Sequence, residues 1–446
     1  SEMCIRDRYE SLRANLKRDS VKFLMPGHKH RLDQVISLDP SFDFTESFGT
    51  DNLNDPQDVI KRSQMRCANI FGSKASFYTV NGSSGGLIAS IFYATSPGDD
   101  ILVARNCHIS VIRACIINRL KVHYIQTNFD QGLDKNILAE EFEDQVKKIQ
   151  PKAIVITHPN YFGFPVDIEK IVDISKNYQS TLIVDEAHGG HLHFSDDLPM
   201  SAVDAGADIV IQSVHKMLTG LNQSAYVHVA SDRVDIDRLF RAITTFQTTS
   251  PSYPIIASCE AAAAFMQVEG RRRLTENIAW AKKFTDDLKQ IEKLRVLDYN
   301  NRDPLKIVFN VRGMDGESLH KKLYEDYNIE AEMNDGVNVL LLATLMNEEE
   351  DYAKALAAVK DLARDAGGEF RSKENYFIIP KKIMEPYQAY ACKRIEIDAR
   401  QAAGRVSADF IGPYPPGIPV LVPGEQVEDG LLKYIDKKIY VIDERS

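Results

Sequence analysis

The sequence has few cysteines, and no two of them are spaced as metal ligands or as a redox pair. Its 446 residues include 6 cysteines and no Cys-x-x-Cys stretch. Scattered thiols in so long a chain predict reduced, mostly buried side chains, not a disulfide framework. This usage favours a cytoplasmic protein. The thiols are Cys4, Cys67, Cys107, Cys115, Cys259 and Cys392.

Long apolar runs and basic blocks are also missing from the sequence. No apolar stretch approaches the roughly 18 residues that suggest a membrane span, and SEMCIRDRYE lacks the apolar core of a secretory signal. Lys and Arg total 54 against 64 Asp and Glu, which gives a net charge of −10. We therefore expect neither nucleic-acid nor membrane binding, whereas a cationic substrate is compatible with this charge.

Short apolar runs alternate with amphipathic segments between residues 75 and 230. Continuous β-branched runs predict strands buried on both faces, and their alternation with helices predicts an α/β fold with a mostly parallel, doubly wound sheet. Ligands bind beyond the carboxyl ends of the strands in such sheets. The runs are SFYTV (76–80), ILVARN (101–106), VHYIQTN (122–128), AIVITHP (153–159), TLIVDEAH (181–188) and DIVIQSVH (208–215).

The length of the chain predicts more than one domain. After residue 250 the pattern changes to long helical stretches and then to a smaller α+β unit, and Gly367-Gly368 is the expected boundary of that unit. The predicted division is an N-terminal arm (1–30), a large sheet domain (31–260), a small α+β domain (261–367) and a C-terminal domain (368–446).

Polar residues gather after the predicted strands, first in VNGSSGG (80–86). Glycines such as Gly85 let a ligand approach the backbone closely, Ser83 and Ser84 offer hydroxyls, and the start of a helix offers free N–H groups. This combination is typical of a phosphate site. An N-capped helix after a tight turn would explain the same residues without a ligand.

Two further strand ends carry polar residues of ambiguous meaning. RNCHIS (105–110) places His108 after a strand, and HPNYFG (158–163) places Asn160 after another. A histidine at a strand end is more often a structural hydrogen-bonding group than a catalytic one, and HPNYFG could equally be only a turn.

LIVDEAHGG (182–190) places Asp185 at the mouth of an apolar strand, where a carboxylate is costly without a cationic partner. The sequence leaves three interpretations: a metal site, a structural ion pair, or a carboxylate that holds a proton on a ligand nitrogen. His188, His191 and His193 favour the metal interpretation. No matching cluster of ligands occurs elsewhere in the sequence, so we expect no metal.

QSVHKMLTGLNQSA (212–225) places Lys216 at the end of the next strand, beside Ser213 and His215. A lone lysine is nearly always a solvated charge. Desolvation after a buried strand would lower its pKa and make it a usable nucleophile. A phosphate cup, a strand-end aspartate and a strand-end lysine together predict a pyridoxal phosphate site, with Lys216 as the Schiff-base lysine and Asp185 as the partner of the pyridine nitrogen.

With these residues in place, the chain resembles the Orn/Lys/Arg decarboxylases of pyridoxal phosphate fold type I, in particular the short bacterial arginine/lysine type. The matching stretches run in the family's order from residue 25 to 425. They are MPGHKH (25–30), DNLNDP (51–56), VNGSSGG, RNCHIS, HPNYFG, VDEAHGGHLHF (184–194), QSVHKMLTGLNQSA, TTSPSY (248–253) and GPYPPGIPVLVPGE (412–425).

The resemblance implies roles on both sides of the cofactor. Ser83, Ser84 and Gly85 match the family's phosphate loop, and Ser213 and His215 match residues beside the Schiff-base lysine that also grip the phosphate.

On the ring side, the resemblance implies that Lys216 is the Schiff-base lysine. It implies that His108 stacks on the ring, that Asp185 partners the pyridinium and that His188 lies near the 3′-oxygen. TTSPSY (248–253) looks like the segment that reaches the partner subunit's site, which implies an obligate homodimer.

The resemblance implies α-decarboxylation of a basic L-amino acid to the amine and CO2, feeding polyamine metabolism, with arginine favoured over lysine and ornithine. An aminotransferase or another pyridoxal phosphate reaction on the same fold is the alternative, and a non-enzymatic regulator is a third. The acidic residues Glu46, Asp51 and Asp55 are either a solvated loop or contacts for the substrate's distal cation.

Overall fold

The computed structural model describes residues 18, 20–37, 40–372, 379–412, 417–435 and 437–444. Most of the expected N-terminal arm therefore lies outside the described residues. So do Cys4 and positions 413–416 of the stretch GPYPPGIPVLVPGE.

Strands and helices alternate over the first half of the described chain. The strands are β1 (Val21–Phe23), β2 (Ala75–Thr79), β3 (Asp100–Ala104), β4 (Lys121–Ile125), β5 (Phe129–Asp130), β6 (Leu133–Asp134), β7 (Ala153–Thr157), β8 (Thr181–Asp185), β9 (Ile209–Ser213), β10 (Ala225–Val229), β11 (Leu294–Val296), β12 (Lys306–Val311), β13 (Ile329–Ala331), β14 (Met333–Asn334), β15 (Val339–Leu342), β16 (Arg394–Asp398) and β17 (Lys438–Ile442). The helices are α1 (Val59–Phe71), α2 (Gly82–Ala94), α3 (Ile109–Ile117), α4 (Ala139–Ile149), α5 (Ile168–Asn177), α6 (Val214–Met217), α7 (Ile236–Phe246), α8 (Tyr253–Phe265), α9 (Arg271–Lys289), α10 (Gly316–Tyr327), α11 (Glu349–Arg364) and α12 (Pro386–Ala391).

The large sheet has the strand order β2-β10-β9-β8-β7-β3-β4 in the part of the chain that the structure describes. The strands β4, β3, β7, β8 and β9 pair in parallel, whereas β10 is antiparallel to both β9 and β2. The mostly parallel sheet expected from the sequence is therefore confirmed. All six apolar runs form strands of this sheet. Strand β10 (AYVHV) was not predicted from the sequence, because it follows β9 through the short helix α6 and not through a long amphipathic helix.

Helices cover both faces of the large sheet, as a doubly wound fold requires. Alternate side chains of a strand point to opposite faces, so Ile101 and Val103 of β3 join one core while Leu102 and Ala104 join the other. Helices α2, α3 and α7 supply the first core, and α4 and α5 supply the second. A strand buried on both faces can present polar groups to a ligand only at its ends.

A smaller antiparallel sheet, with the order β11-β12-β15-β14, follows the helices α8 and α9. These two helices are joined through a π-helical turn at Met266–Gly270. Strand β1 pairs in parallel with β13, so the segment before the large sheet attaches to the small unit. One hydrophobic core contains Phe23, Met217 and Phe309, which come from β1, α6 and β12. The two sheets therefore share buried contacts.

The last described segments pack against the large sheet. Strands β16 and β17 pair antiparallel, and Val422 lies in the core beneath α2 and α3. The fully buried Arg105, just after β3, forms an ion pair with Glu425 at 3.2 Å. Its guanidinium also donates to the carbonyl oxygens of Pro419 and Val420. The carboxyl edge of β3 is thus covered by residues from the end of the chain.

The thiols within the described residues are free cysteines, and most of them are buried, as the sequence predicts. Cys67, Cys107, Cys115 and Cys259 are buried, whereas Cys392 is exposed. Among the described residues, none of the helices combines the length and the apolar character that crossing a membrane would require.

Candidate active site

Several polar side chains meet at the carboxyl edge of the large sheet. Asp185 is the last residue of β8, and Ser213 is the last residue of the neighbouring β9. The chain then turns directly into α6, which carries Lys216. His108 follows β3 and is the N-cap residue of α3. Parallel strands end at the same edge of a sheet, so the pattern of apolar runs followed by polar residues becomes one site.

The start of α2 and the end of β9 form one side of this site. The Ser83 hydroxyl lies 2.6 Å from the Ser213 hydroxyl, which links the two strand ends across β10. Ser84 and Gly85 are half-buried in the first turn of α2. The N-cap residue Asn81 donates its side-chain amide to the Phe246 carbonyl oxygen and does not cap the helix. The first-turn N–H groups and two hydroxyls therefore suit an anion such as phosphate.

Asp185 supplies a buried carboxyl group on the opposite side. Its side chain accepts a hydrogen bond from the Ala187 backbone N–H at 3.2 Å. Burial raises the pKa of Asp185, although the charge of Lys216 opposes this shift. A carboxylate in such surroundings gains most from a ligand that brings a positively charged N–H group.

Lys216 is partly buried, and its amine lies close to a histidine. Its Nζ is 3.1 Å from Nε2 of His188. Burial lowers the pKa of Lys216, while Asp185 and Glu332 act in the opposite direction. A lowered pKa increases the fraction of free amine at neutral pH, and the free amine is the nucleophilic form.

His108 and His215 flank Lys216 as uncharged side chains. Burial, with a further contribution from Lys216, lowers the pKa of each histidine to about 4. The Nδ1 of His108 accepts a hydrogen bond from the Ser110 backbone N–H and thus caps α3. The His215 ring bonds the Ser224 carbonyl oxygen at 3.1 Å. Neutral rings at these positions add no positive charge beside Lys216.

His191 and His193, the other two histidines near Asp185, each contact a different carboxylate. His191 Nε2 lies 3.0 Å from Asp303, and His193 Nδ1 lies 2.7 Å from Asp204. Within the described residues, no group of three or more His, Cys, Asp or Glu side chains is arranged to hold a metal ion. His188 belongs to neither pair. Its ring faces the amines of Lys216 and Lys306 at the sheet edge.

HPNYFG forms a structural turn. Asn160 accepts hydrogen bonds from the backbone N–H groups of Phe162 and Phe164 and donates to the Asp134 carbonyl oxygen at 2.7 Å. The side chain of Asn160 thus stabilises the loop after β7. Tyr161, the next residue, packs its ring edge-on against His188 with the ring centroids 4.7 Å apart.

The acidic residues of the first loop do not act as one group. The Asp51 carboxylate accepts hydrogen bonds from four backbone N–H groups, including those of Asp58 and Ile60 at the start of α1. Burial favours a higher pKa for Asp51, but these hydrogen bonds outweigh it and the pKa is lowered. Glu46 is exposed and bonds the Thr45 hydroxyl. Asp51 therefore shapes its loop, whereas Glu46 is open to solvent.

Three charged residues near the site were missed by the sequence analysis. Lys306, the first residue of β12, places Nζ 3.1 Å from Nδ1 of His188. Glu332 accepts hydrogen bonds from the Met25 backbone N–H and the Tyr161 hydroxyl. The buried Lys29 donates to two backbone carbonyl oxygens. Lys306 begins the apolar run KIVFNVRG (306–313), and a lysine at the start of such a run is the one signal that could have drawn attention to it.

The MPGHKH segment lies directly against the backbone of Lys216. The Gly27 N–H donates to the His215 carbonyl oxygen at 2.7 Å. A Cβ atom at position 27 would lie 2.1 Å from the Leu218 oxygen and 2.6 Å from the Lys216 oxygen. Only glycine fits between these carbonyl groups, so this segment sets the position of the lysine-bearing turn.

The donor set can hold a ligand with three distinct chemical features. The hydroxyl pair and the start of α2 suit a phosphate, the buried Asp185 suits a protonated ring nitrogen, and the Lys216 amine suits an aldehyde. All of these groups follow the carboxyl ends of strands in the same sheet, so they can face one bound molecule.

Comparisons with known proteins agree with this architecture. The chain is 33% identical to an arginine decarboxylase of Bacillus anthracis over 459 residues, covering 97% of this chain and 92% of that protein. The lysine decarboxylase structure of Francisella novicida superposes with a TM-score of 0.79 at 19% identity, covering 98% of this chain and 83% of the other. The constitutive lysine decarboxylase of E. coli gives a TM-score of 0.76 at 19% identity, covering 98% and 81%.

Two family models account for nearly the whole chain. The major domain of the Orn/Lys/Arg decarboxylases matches residues 8–364. The C-terminal domain of the same family matches residues 368–441. The expectation that the sequence motifs raised is confirmed: the chain belongs to the Orn/Lys/Arg decarboxylase family.

Proposed function

We propose that this chain is a pyridoxal phosphate-dependent α-decarboxylase of a basic L-amino acid, releasing the amine and CO2. The observation that carries the proposal is the arrangement of Lys216, Asp185 and the Ser83–Ser213 hydroxyl pair around one edge of the large sheet. Arginine is the favoured substrate, before lysine and ornithine, because the similar Bacillus anthracis protein is named an arginine decarboxylase. Its amine product would feed polyamine metabolism.

The residues at the sheet edge would each hold one part of the cofactor. Ser83, Ser84 and Gly85 at the start of α2, together with Ser213, would hold the phosphate. His215 would support that side by keeping the α6 turn in place through Ser224. When bound, pyridoxal phosphate supplies an aldehyde and an electron-accepting ring.

The side chains facing the ring would control charge and protons there. Lys216 would attach the aldehyde covalently, and Asp185 would keep the ring nitrogen protonated. The neutral His108 would stack on the ring without adding a positive charge. His188 would lie near the ring oxygen, where its Nε2 also reaches Lys216. These residues would hold the scissile carboxylate away from bulk water, since they are at least partly buried.

A homodimer would complete the site. The TTSPSY segment contacts the loop that carries Glu46 and Asp51, because the Tyr253 hydroxyl donates to the Asp51 carbonyl oxygen and Asn54 donates to the Thr248 carbonyl oxygen. In a dimer this joined surface would face the partner's site. Glu46, whose carboxylate is exposed, would then be able to meet the substrate's distal cation.

The decisive experiment measures CO2 release from arginine, lysine and ornithine side by side, together with any keto acid formed. We expect CO2 and the corresponding amine, with the highest kcat/KM for arginine. Keto acid without CO2 would identify an aminotransferase and contradict the proposal.

Lys216→Ala tests the anchor residue in the same assay. We expect loss of turnover and of covalently bound cofactor, because no other amine would occupy that position. Lys382→Met removes a lysine that bonds Glu385 and the Val122 carbonyl oxygen, and it serves as the matched control. CO2 release that persists in Lys216→Ala would overturn the assignment.

A further inference from the structure

His188 stands between two lysine amines that come from different sheets. Its Nε2 lies 3.1 Å from Lys216 Nζ, and its Nδ1 lies 3.1 Å from Lys306 Nζ. Lys216 belongs to the turn after β9, and Lys306 begins β12 of the small sheet. The three side chains form a continuous line from the small sheet to the candidate cofactor site.

The Lys306 side chain is held firmly in this position. It is fully buried, and its Nζ also lies 3.2 Å from the Met217 sulfur. Its stem passes over Gly163, where a Cβ atom would lie 2.8 Å from the Lys306 Cγ. The glycine that ends HPNYFG thus makes room for this lysine, a role that the sequence analysis did not assign.

The hydrogen-bonding capacity of imidazole limits the charge states of the two amines. A neutral imidazole has one N–H donor and one acceptor nitrogen. Burial, reinforced by the charges of Lys216 and Lys306, lowers the pKa of His188 well below its ordinary value, so the ring is neutral. One lysine must therefore donate to the ring, and the other must accept from it. The accepting lysine has to be an uncharged amine, because an ammonium group has no lone pair.

The surroundings indicate which lysine donates. The charged and titratable groups that act on the three side chains are Asp185, Glu332, Asp303, Arg302, Lys29, His108 and His215. Burial lowers the pKa of Lys306 to about 8, still above neutrality; Asp303 and Glu332 oppose this shift, whereas Lys216 and Arg302 add to it. Asp185 favours a charged Lys216, but this carboxylate would be engaged by the ring nitrogen once the cofactor is bound.

We propose that Lys306 is a positioning residue that acts through His188: its ammonium donates to Nδ1, which places the ring proton on Nε2, and that N–H holds Lys216 as a free amine. This inference rests on the proposed function only where it assigns the free Lys216 amine to attachment of the cofactor. The hydrogen-bond order itself is a property of the three side chains.

The same line can return a proton to Lys216. In this transfer, His188 Nε2 donates its proton to the Lys216 amine while His188 Nδ1 accepts a proton from the Lys306 ammonium. The outcome is a Lys216 ammonium, a neutral His188 with its proton on Nδ1 and a neutral Lys306. The number of protons and the total charge are unchanged, so no group outside the line is required.

The test measures the protonation of Lys216 directly, in the full-length chain freed of cofactor. The amine is labelled with acetic anhydride at a series of pH values, and the extent of modification of the Lys216 peptide is read by mass spectrometry. In Lys306→Met we expect the labelling midpoint to rise by about one pH unit or more, which lowers the free-amine fraction at neutral pH about tenfold. Lys306→Arg, which keeps a charged donor, should retain the low midpoint.

A second background separates action through His188 from direct repulsion between the lysines. In His188→Phe the ring can neither donate nor accept, so adding Lys306→Met should move the midpoint much less than it does in the parent chain. An equal shift in both backgrounds would overturn the positioning role, as would an unchanged midpoint in a folded Lys306→Met. Lys306→Gln replaces the methionine variant if circular dichroism shows that the latter does not fold.

Failure of this inference can be told apart from failure of the proposed function. Borohydride reduction of the cofactor-loaded wild-type chain, followed by peptide mapping, reports whether the cofactor is attached to Lys216. Cofactor on another residue would contradict the proposed function and leave the titration result intact. Cofactor on Lys216 without a midpoint shift in Lys306→Met would contradict the positioning role alone.

Discussion

At the scale of single residues, the site depends on charged groups held where solvent is scarce. Asp185 and Lys216 are each shifted toward their neutral forms by burial, and each opposes the shift of the other. Such a pair is weakly stabilising by itself, since desolvation offsets much of the attraction. Under the proposed function a ligand would complete the pair: Asp185 would bind a protonated ring nitrogen, and Lys216 would react with an aldehyde.

Asp185→Asn should separate binding from chemistry. The amide keeps the shape of the side chain but cannot hold a proton on the ring nitrogen, so we expect kcat to fall about 100-fold or more while cofactor is still bound. Cofactor content and kcat, measured on the same sample, check this. The control is Asp208→Asn, a buried aspartate that accepts from the Leu182 N–H at the opposite end of β8. Equal losses of kcat in both variants would mean that the effect is structural.

Lys29 should make the stability of the chain depend on alkaline pH. Burial lowers its pKa to about 7, although Glu332 and Asp351 oppose the shift. The unfolded lysine holds its proton up to about pH 10, so between pH 7 and 10 the unfolded chain binds more protons than the folded one. The free energy of unfolding should therefore rise with pH across this window, by up to about 1.4 kcal/mol per pH unit from this group.

The measurement compares thermal midpoints of wild type and Lys29→Met at pH 7 and at pH 9.5. The wild type should gain several degrees relative to the variant at the higher pH, since only the wild type loses the cost of burying an ammonium group. Lys382→Met is the control and should follow the wild type. A constant difference between wild type and Lys29→Met at both values of pH would contradict the prediction.

At the scale of secondary-structure elements, the order of strands decides which loops meet. The carboxyl ends of β8 and β9 are neighbours. The start of α2 lies at the same edge because β10 is antiparallel to both β9 and β2, so that these two strands run in the same direction. Each polar loop follows its strand, as the sequence predicts. The strand order is not predictable in the same way, because pairing depends on contacts between residues far apart in the chain.

The ion pair between Arg105 and Glu425 should be needed to keep the end of the chain against β3. Both side chains are buried, so Glu425→Gln would remove a buried counter-ion of the guanidinium and cost about 3–5 kcal/mol. Thermal unfolding and limited proteolysis of the segment after residue 417 check this. Glu396→Gln breaks an exposed pair with Lys438 and should cost less than about 1 kcal/mol. Similar losses in both variants would contradict the prediction.

At the scale of the whole molecule, the described surface retains large apolar side chains in one loop. Phe42, Phe44 and Phe48 are exposed, and Phe48 is fully so. Exposed apolar patches of this kind mark interaction sites. The loop adjoins TTSPSY through Tyr253, which supports the proposed homodimer with this surface at or near the interface.

Replacing these aromatic residues should weaken the dimer. For wild type we expect light scattering to give twice the chain mass of 50.3 kDa. Phe44→Ser combined with Phe48→Ser should shift the distribution toward 50.3 kDa and lower the specific activity at low protein concentration. Val268→Ser, at an exposed apolar position in the π-helical turn, is the control and should leave the mass unchanged. A double variant with the wild-type mass would count against this interface.

The domain boundaries drawn from the sequence remain a proposal. Phe23, Met217 and Phe309 lie in one core although they fall in three of the predicted units. Composition shifts and glycine pairs mark where a chain can bend. They do not report which surfaces are buried against each other afterwards.

The sequence by itself determined the α/β class, the polar strand ends and the likeness to a decarboxylase family, because apolar runs and their flanking residues are local features. Only the tertiary structure decided that Lys306 meets His188, that Gly27 fits against the Lys216 backbone and that Asp51 serves its own loop. Each of these contacts joins an ordinary-looking residue to a partner whose position depends on the packing of the surrounding chain. The role of each residue follows from its burial and its distance to that partner, and neither can be predicted from the neighbouring sequence.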